Sequence, residues 1–235
     1  MTLALLLTAV TGAWAQGPWT SGDCTVTLNN GTLTVSGNGA MEDYPNLDQP
    51  WENNKGDITS VVVESGVTTV GALSFCNFGK ITSVTLPEGL TSIGTRSFLS
   101  CSKLTSITIP STVTSIGDYA FWRCFSLTEL DIPSSVTEMG SYVFGQTGFT
   151  TMPRMDGMTY LPDDAFYYCN QLEEVNVPAN ITRIGSGAFA NCENLQRVSL
   201  PDGLTEIGGE AFGSCIQLTA IDIPNSVNHR QLCLQ

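Results

Sequence analysis

The sequence is poor in basic residues and in histidine, and both shortages narrow its function. Lysine and arginine number 9 against 22 aspartates and glutamates, so the chain of 235 residues has a formal net charge of −13. Binding to a phosphate backbone needs clustered Lys and Arg, and the few present are scattered, so we expect no nucleic acid partner. The single histidine, His229, excludes most Ser/His and Cys/His catalytic arrangements and most zinc sites. We therefore predict a protein that is not an enzyme and holds no cofactor or metal.

Long hydrophobic runs are scarce as well, and the one that stands out is at the N-terminus. Residues 3–10 are apolar except for Thr8, and a small-x-small pattern ends at Ala15. This pattern is typical of a secretory signal, so we predict a signal peptide over residues 1–15 and a secreted or cell-surface location. No basic residue precedes the run, which suggests a start upstream of Met1. No other segment approaches the roughly 20 apolar residues of a membrane helix, so no membrane span is expected.

What the chain has in abundance is a repeat of 23 residues. One phenylalanine recurs with spacings of 23, 23, 23, 22, 23 and 23. These ladder phenylalanines are Phe75, Phe98, Phe121, Phe144, Phe166, Phe189 and Phe212. The first apolar position of each repeat divides residues 58–227 into seven units and a partial eighth. Units 1 to 8 begin at Ile58, Ile81, Leu104, Leu127, Phe149, Leu172, Leu195 and Leu218.

Unit 3 reads LTSITIPSTVTSIGDYAFWRCFS and shows what each part of a repeat builds. Residues 104–109 alternate in polarity and are rich in β-branched side chains, which predicts a short strand that ends at Pro110. Residues 113–116 form a second extended piece, and Gly117 permits the turn after it. Residues 118–121 begin a predicted helical turn. Because one unit cannot bury its own apolar face, the units must stack, with strands about 4.8 Å apart. The predicted fold is α/β but mostly β, a solenoid with short strands and a helical turn per repeat.

Units 1, 4 and 5 depart from this pattern, and unit 1 has Glu64 at the proline position and Phe78 at the cysteine position. Unit 4 is one residue short and carries Thr147 near the usual cysteine position. In unit 5, Pro153 comes two places early and Pro162 replaces the turn glycine. We expect a local irregularity in the stack at this point.

The segments before and after the array differ from the repeats. Residues 16–57 are predicted to form a leader in which the Asn30-Gly31 pair closes a β-hairpin that covers the open edge of unit 1. Residues 228–235 diverge from the repeat and resemble no polar capping unit, so the chain looks truncated there. We expect self-association through this uncapped C-terminal end, with poor cover over the three side chains Ile207, Phe212 and Val227.

Five of the eight cysteines occupy one offset of the repeat, three residues after the ladder phenylalanine. Because equivalent positions of stacked units lie above one another, we predict a column of buried, unpaired thiols. Its members are Cys101, Cys124, Cys169, Cys192 and Cys215. Outside the column, a disulfide between Cys24 and Cys76 is left open, and Cys233 lies in the divergent tail.

The outward positions of the first strand form the candidate binding face. The face changes from hydroxyl side chains to acidic ones at Glu129, Asp131 and Glu174. Between them, Thr151 and Pro153 are expected to point outward and add no charge. The residues proposed for contact are Glu129, Asp131, Glu174, Asn176, Arg197 and Asp222. A basic protein or a glycan would suit this face; the alternative is an ordinary solvated β surface rich in Thr for its strand propensity.

Units such as LTSITIPSTVTSIGDYAFWRC and LEEVNVPANITRIGSGAFANC resemble the BspA-like (Treponema pallidum-type) leucine-rich repeat. The resemblance covers about residues 58–227. It implies a right-handed leucine-rich-repeat solenoid, and family members act as adhesins or interaction modules on bacterial surfaces, often ahead of further C-terminal domains.

From the residues and this resemblance we predict a secreted or cell-surface module for protein binding and adhesion, with host or neighbouring-cell partners. Two alternatives remain at this point. The array could be a structural spacer for a further C-terminal domain, or the non-catalytic part of a larger secreted enzyme.

Overall fold

The computed structural model describes residues 16–227, and these form a mostly β solenoid, which confirms the predicted fold class. The predicted signal peptide over 1–15 and the tail over 228–235, with His229 and Cys233, lie outside the described residues. The strands in chain order are β1 (Gln16–Ser21), β2 (Cys24–Asn29), β3 (Thr32–Gly37), β4 (Gly39–Ala40), β5 (Ser60–Val63), β6 (Val67–Val70), β7 (Ser83–Thr85), β8 (Ser92–Ile93), β9 (Ser106–Ile107), β10 (Ser115–Ile116), β11 (Glu138–Met139), β12 (Tyr160–Leu161), β13 (Glu174–Asn176), β14 (Arg183–Ile184), β15 (Arg197–Ser199) and β16 (Glu206–Ile207). The one helix among the described residues is a 3-10 turn, Glu52–Asn54.

The repeat units place their strands in two parallel columns. The first column contains β5, β7 and β9, and later β13 and β15; the second contains β6, β8, β10 and β11, and later β12, β14 and β16. Paired residues in neighbouring units are 23 positions apart, as in Val61 with Val84 and Val84 with Ile107. In β7, Val84 is buried between exposed Ser83 and Thr85, so the alternation in the sequence decides which face enters the core.

The leader is built on the same stack. Strands β2 and β3 form an antiparallel hairpin around Asn30 and Gly31, whose φ angles are 48° and 79°, as a two-residue hairpin turn requires. Strand β3 then pairs in parallel with β5. Trp51 is fully buried, its ring centroid is 6.4 Å from that of Phe75, and its Nε1 donates to the carbonyl of Ser74 at 3.0 Å. The leader thus covers the strand edge and the first core ring of unit 1.

The third side of each unit is a run of hydrogen-bonded turns, and the helical turn predicted there is not formed. In unit 3 the amide of Phe121 donates to the carbonyl of Val143 in unit 4 at 2.9 Å, whereas the amide of Trp122 donates three residues back to Tyr119 at 3.1 Å. Tyr119 and Arg123 have φ angles of 56° and 62°, which no α-helix accommodates. Bonds to the next unit replace the bonds that would have continued a helix.

A column of aromatic rings flanked by thiols runs through the core, among the buried aliphatic side chains of the strands. The ladder phenylalanines are buried, and successive ring centroids from Phe75 to Phe212 are 5.2 to 6.0 Å apart. The five cysteines three residues after a ladder phenylalanine are the ladder cysteines, and each donates its thiol to the carbonyl of the ladder phenylalanine in the preceding unit. These Sγ–O pairs are Cys101–Phe75, Cys124–Phe98, Cys169–Phe144, Cys192–Phe166 and Cys215–Phe189, at 3.1 to 3.2 Å. Cys24 and Cys76 are buried and free, so the bridge left open between them is absent.

Candidate binding site on the strand face

The first strand column is interrupted at units 4 and 5, where the candidate residues lie. Among residues 16–227, the column has no strand between β9 and β13, and only two single pairs cross the gap, Ile132 with Met155 and Thr151 with Glu174. Thr151 and its partner Glu174 both hold offset 2 of their units, whereas Met155 holds offset 6 of unit 5 and its partner Ile132 holds offset 5 of unit 4. One extra residue therefore lies between Thr151 and Met155. Unit 5 therefore carries a one-residue bulge in its strand segment, of the kind that redirects side chains.

The bulge changes which side chain of unit 5 points outward. Pro153, expected to be outward, is buried, and the next residue, Arg154, is exposed with 77% of its side-chain surface accessible. The expectation that Thr151 and Pro153 leave the middle of the patch uncharged is therefore wrong. Arg154 Nη2 lies 2.8 Å from the Asp156 carboxylate, and both side chains are exposed. This ion pair holds the Arg154 guanidinium at the surface.

Glu129 and Asp131 lie together at a surface cavity of about 550 Å³. Leu130 and Ile132 are buried and alternate with exposed Glu129 and Asp131, so the two carboxylates face solvent. The cavity extends over units 3, 4 and 5, and its polar lining includes Ser106, Thr108, Thr128, Glu129, Asp131 and Arg154. Two carboxylates and one guanidinium at a rim can form charge-assisted hydrogen bonds with a partner that carries both signs.

Glu174 belongs to a different group. Its Oε2 accepts from Arg197 Nη2 at 2.7 Å, and its Oε1 accepts from Asn176 Nδ2 at 3.1 Å. The hydrogen bond from the Arg197 guanidinium lowers the pKa of the Glu174 carboxyl. The structure thus brings Glu129 and Asp131 together with Arg154, and separately joins Glu174, Asn176 and Arg197. Asp222 is exposed in unit 8, outside both groups.

The sequence-based selection of candidates missed an aromatic cluster on the turn side of units 3 to 5. Tyr119 stacks on Tyr142 with centroids 4.7 Å apart, and the Arg96 guanidinium covers the Tyr119 ring at 5.1 Å. Trp122 stacks near Tyr167 at 6.0 Å. The signal was present in the sequence, because Tyr119 and Tyr142 share offset 15 of units 3 and 4, and Trp122 and Tyr167 share offset 18 of units 3 and 5. A search of the strand face alone does not examine these offsets.

The C-terminal end differs from the expectation. Ile207, Phe212 and Val227 are buried, at 2%, 8% and 3% exposure, so the predicted lack of cover over them is wrong. The exposed apolar residue of this region is Ile216. Self-association through this end stays a prediction.

Two further features of residues 16–227 bear on other functions. This part of the chain has no cluster of three or more His, Cys, Asp or Glu side chains able to hold a metal ion. Nor does it contain a helix long and apolar enough to cross a membrane.

Comparison with known proteins identifies the repeat. The family model of the BspA type leucine rich repeat region matches residues 52–173 and 159–232, in six copies. The structure is similar to the leucine-rich repeat protein of Treponema pallidum, with a TM-score of 0.65 and 25% identity over 80% of this chain and 83% of that one. A leucine-rich repeat protein from Eubacterium ventriosum gives a TM-score of 0.49 and 21% identity over 92% of each chain. No curated protein matches the chain.

Proposed function

The chain belongs to the BspA-type leucine-rich repeat family, and we propose that it is a secreted or cell-surface module that binds a protein through the strand face of units 3 to 5. The observation that carries the proposal is the cavity at the interrupted strand column, with Glu129 and Asp131 at its rim. Stacked repeats offer extended binding surfaces, which supports a role in recognition. The signal-like run at residues 3–10 supports export.

The partner segment is basic at its centre. Glu129 and Asp131 are both exposed and are two residues apart on one strand face, so one Lys or Arg of a partner can reach both carboxylates. Arg154 limits the site to partners that place an acidic or neutral group beside that base, which adds specificity beyond net charge. The whole-chain charge of −13 favours the approach of basic proteins.

Binding to a panel of immobilised matrix and mucosal proteins tests the proposal. We expect the double variant Glu129→Ala, Asp131→Ala to bind about tenfold more weakly, since each exposed charge contributes about 1 kcal/mol or less. Binding by the parent should also weaken as salt rises, because exposed charges are screened beyond about 10 Å in 0.1 M salt.

Glu174→Ala is the matched control, because this carboxylate is already paired with Arg197. It should leave the affinity nearly unchanged. Equal binding by the parent and the double variant, at low and at physiological salt, would show that the cavity is not the contact surface.

A further inference from the structure

A second pocket lies on the opposite edge of the first strand column, where unit 4 is one residue short. In units 3 and 5 two residues separate the ladder-cysteine position from the next first apolar position, namely Phe125-Ser126 and Asn170-Gln171. In unit 4 the single residue Gly148 takes their place, between Thr147 and Phe149. The corner of the solenoid therefore loses its side chains at unit 4 but keeps them on both sides. The resulting indentation has a volume of about 380 Å³, within the usual range of ligand pockets.

Two exposed aromatic rings stand at this indentation. Phe125 has 55% of its surface exposed and Tyr168 has 37%, and both are among the few large hydrophobic residues exposed in the described part of the chain. They belong to units 3 and 5, at offsets 21 and 19 of the repeat, and so come from the units on either side of the shortened corner of unit 4. Tyr168 packs against Tyr167 at 5.1 Å, and Tyr167 in turn packs in the aromatic cluster, so the Tyr168 ring is held before any ligand arrives.

The rest of the lining is amide and uncharged. Gln146, Asn170 and Gln171 line the pocket, and none of its lining residues is an acid or a base, in a chain of net charge −13. Arg123 Nε donates to Gln146 Oε1 at 3.2 Å, and Asn170 Oδ1 accepts from the amide of Glu193 at 3.2 Å. Each of these two amides has its oxygen engaged, and within residues 16–227 its NH₂ group has no hydrogen-bond acceptor. The pocket thus offers donors without charge.

We propose that this corner pocket binds a sugar residue of a neutral glycan. The C–H groups of a sugar ring carry partial positive charge and pack on the negative face of an aromatic ring, which Phe125 and Tyr168 supply. Sugar hydroxyls accept hydrogen bonds from uncharged donors, which the NH₂ groups of Gln146 and Asn170 supply, and the side-chain amide of Gln171 adds an uncharged donor and acceptor. A protein hot spot would combine buried apolar groups with Arg, and this lining has neither aliphatic side chains nor Arg. The corner pocket is separate from the strand-face cavity, and no residue lines both.

Isothermal titration calorimetry with cellohexaose, mannohexaose, galactohexaose and N-acetylchitohexaose tests the proposal. We expect at least one of these neutral hexaoses to bind the parent with a Kd in the millimolar range or tighter, without dependence on salt. Phe125→Ala and Tyr168→Ala should each weaken that binding about tenfold, the effect of about 1.4 kcal/mol per ring contact. Phe125→Tyr should keep the affinity, because it retains the ring.

Ile216→Ala is the matched control. Ile216 holds the same position in unit 7 that Phe125 holds in unit 3, and it is 72% exposed. It should leave hexaose binding unchanged, as should the double variant Glu129→Ala, Asp131→Ala, so the two sites can fail independently. The proposal is overturned when no hexaose binds the parent, when removing the rings leaves the Kd unchanged, or when the ring variants lose binding only to immobilised proteins.

Discussion

The ladder cysteines are buried donors whose chemistry is suppressed by their surroundings. Each thiol points at a main-chain carbonyl of the preceding unit, as Cys124 does toward Phe98 at 3.2 Å. Burial raises the pKa of Cys124 from 9.0 to about 12, and that of Cys169 to about 11. A thiol that holds its proton this tightly is a poor nucleophile. The column therefore contributes packing and hydrogen bonds, and no redox centre.

These pKa values predict alkaline instability. Because the folded pKa lies above 9.0, the thiols' contribution to stability is fully present below about pH 9 and is lost as the pH rises through 11 to 12. We expect the free energy of unfolding, measured in urea, to fall between about pH 9 and about pH 12. Cys124→Ala with Cys169→Ala should reduce the slope, which separates the thiols from titrating tyrosines. At pH 8 a thiol reagent should label the column only after unfolding; rapid labelling of the native protein would contradict this.

The hydrogen-bonded turns on the third side of the units stack into a turn column, and single residues in it adopt strained backbone conformations. Ser100 has a φ of 60°, and its amide donates to the carbonyl of Trp122 at 2.7 Å, so the next unit holds it in the left-handed region. A residue with a Cβ there costs about 1–2 kcal/mol. We expect Ser100→Gly to leave stability unchanged or raise it by about 1 kcal/mol, and Ser100→Val to lower it by about 1–2 kcal/mol. Urea denaturation measures both, and equal losses for the two variants would contradict the strain argument.

At the scale of one element, the glycine that follows the second strand in units 2, 3, 4, 6 and 7 marks a close approach to the preceding unit. A Cβ on Gly208 would lie 2.4 Å from the backbone nitrogen of Ser186, and the Gly208 amide donates to Ile184 at 2.8 Å, so neither strand can move away. Its neighbour Gly209 has open space where a Cβ would lie, and its φ is outside the left-handed region.

These neighbours give a matched pair of substitutions. We expect Gly208→Ala to lower the free energy of unfolding by about 1–3 kcal/mol, because the overlap involves backbone atoms. Gly209→Ala should be neutral or stabilising by up to about 1 kcal/mol, through a smaller entropy of the unfolded chain. Thermal and urea unfolding of both variants measure the difference. A similar loss of stability at Gly209 would indicate that glycine is required by the conformation of the turn and that the contact between units is not the cause.

The elements also show which features the sequence reveals. The 23-residue spacing and the alternation around Val84 are enough to predict the solenoid, the column of ladder phenylalanines and the first strands. They are visible in the sequence because buried positions accept few residue types. The turn after Gly117 is wrongly predicted as helical, since its interunit hydrogen bonds depend on a neighbour that local propensity does not include. The exposure of Arg154 is not predicted, because the offsets of the repeat place Pro153 at the outward position. The bulge that exchanges the two residues becomes visible only when the pairing between units is known.

On the scale of the whole molecule, the solenoid is two strand stacks joined at units 4 and 5. The first column ends at β9 and resumes at β13, and the second ends at β11 and resumes at β12. The turn column continues across the joint, where the amide of Phe144 donates to Ala165 at 3.0 Å, and the Phe144 and Phe166 rings stay 5.5 Å apart. The joint is therefore braced on the turn side and open on the strand side, where Glu129 and Asp131 lie.

This asymmetry predicts an uneven pattern of hydrogen exchange. Local opening is easiest where strand pairing is absent, so amides of residues 128–132 should exchange faster than those of β5 and β7. The Phe144 amide should remain as protected as the Phe98 amide, which makes the same bond to the next unit at 3.0 Å. Exchange followed by mass spectrometry or NMR distinguishes the two sides of one unit. Uniform protection around units 4 and 5 would mean that the turn column alone holds the joint rigid, and the strand-face cavity would then be a fixed groove that a partner enters without opening it further.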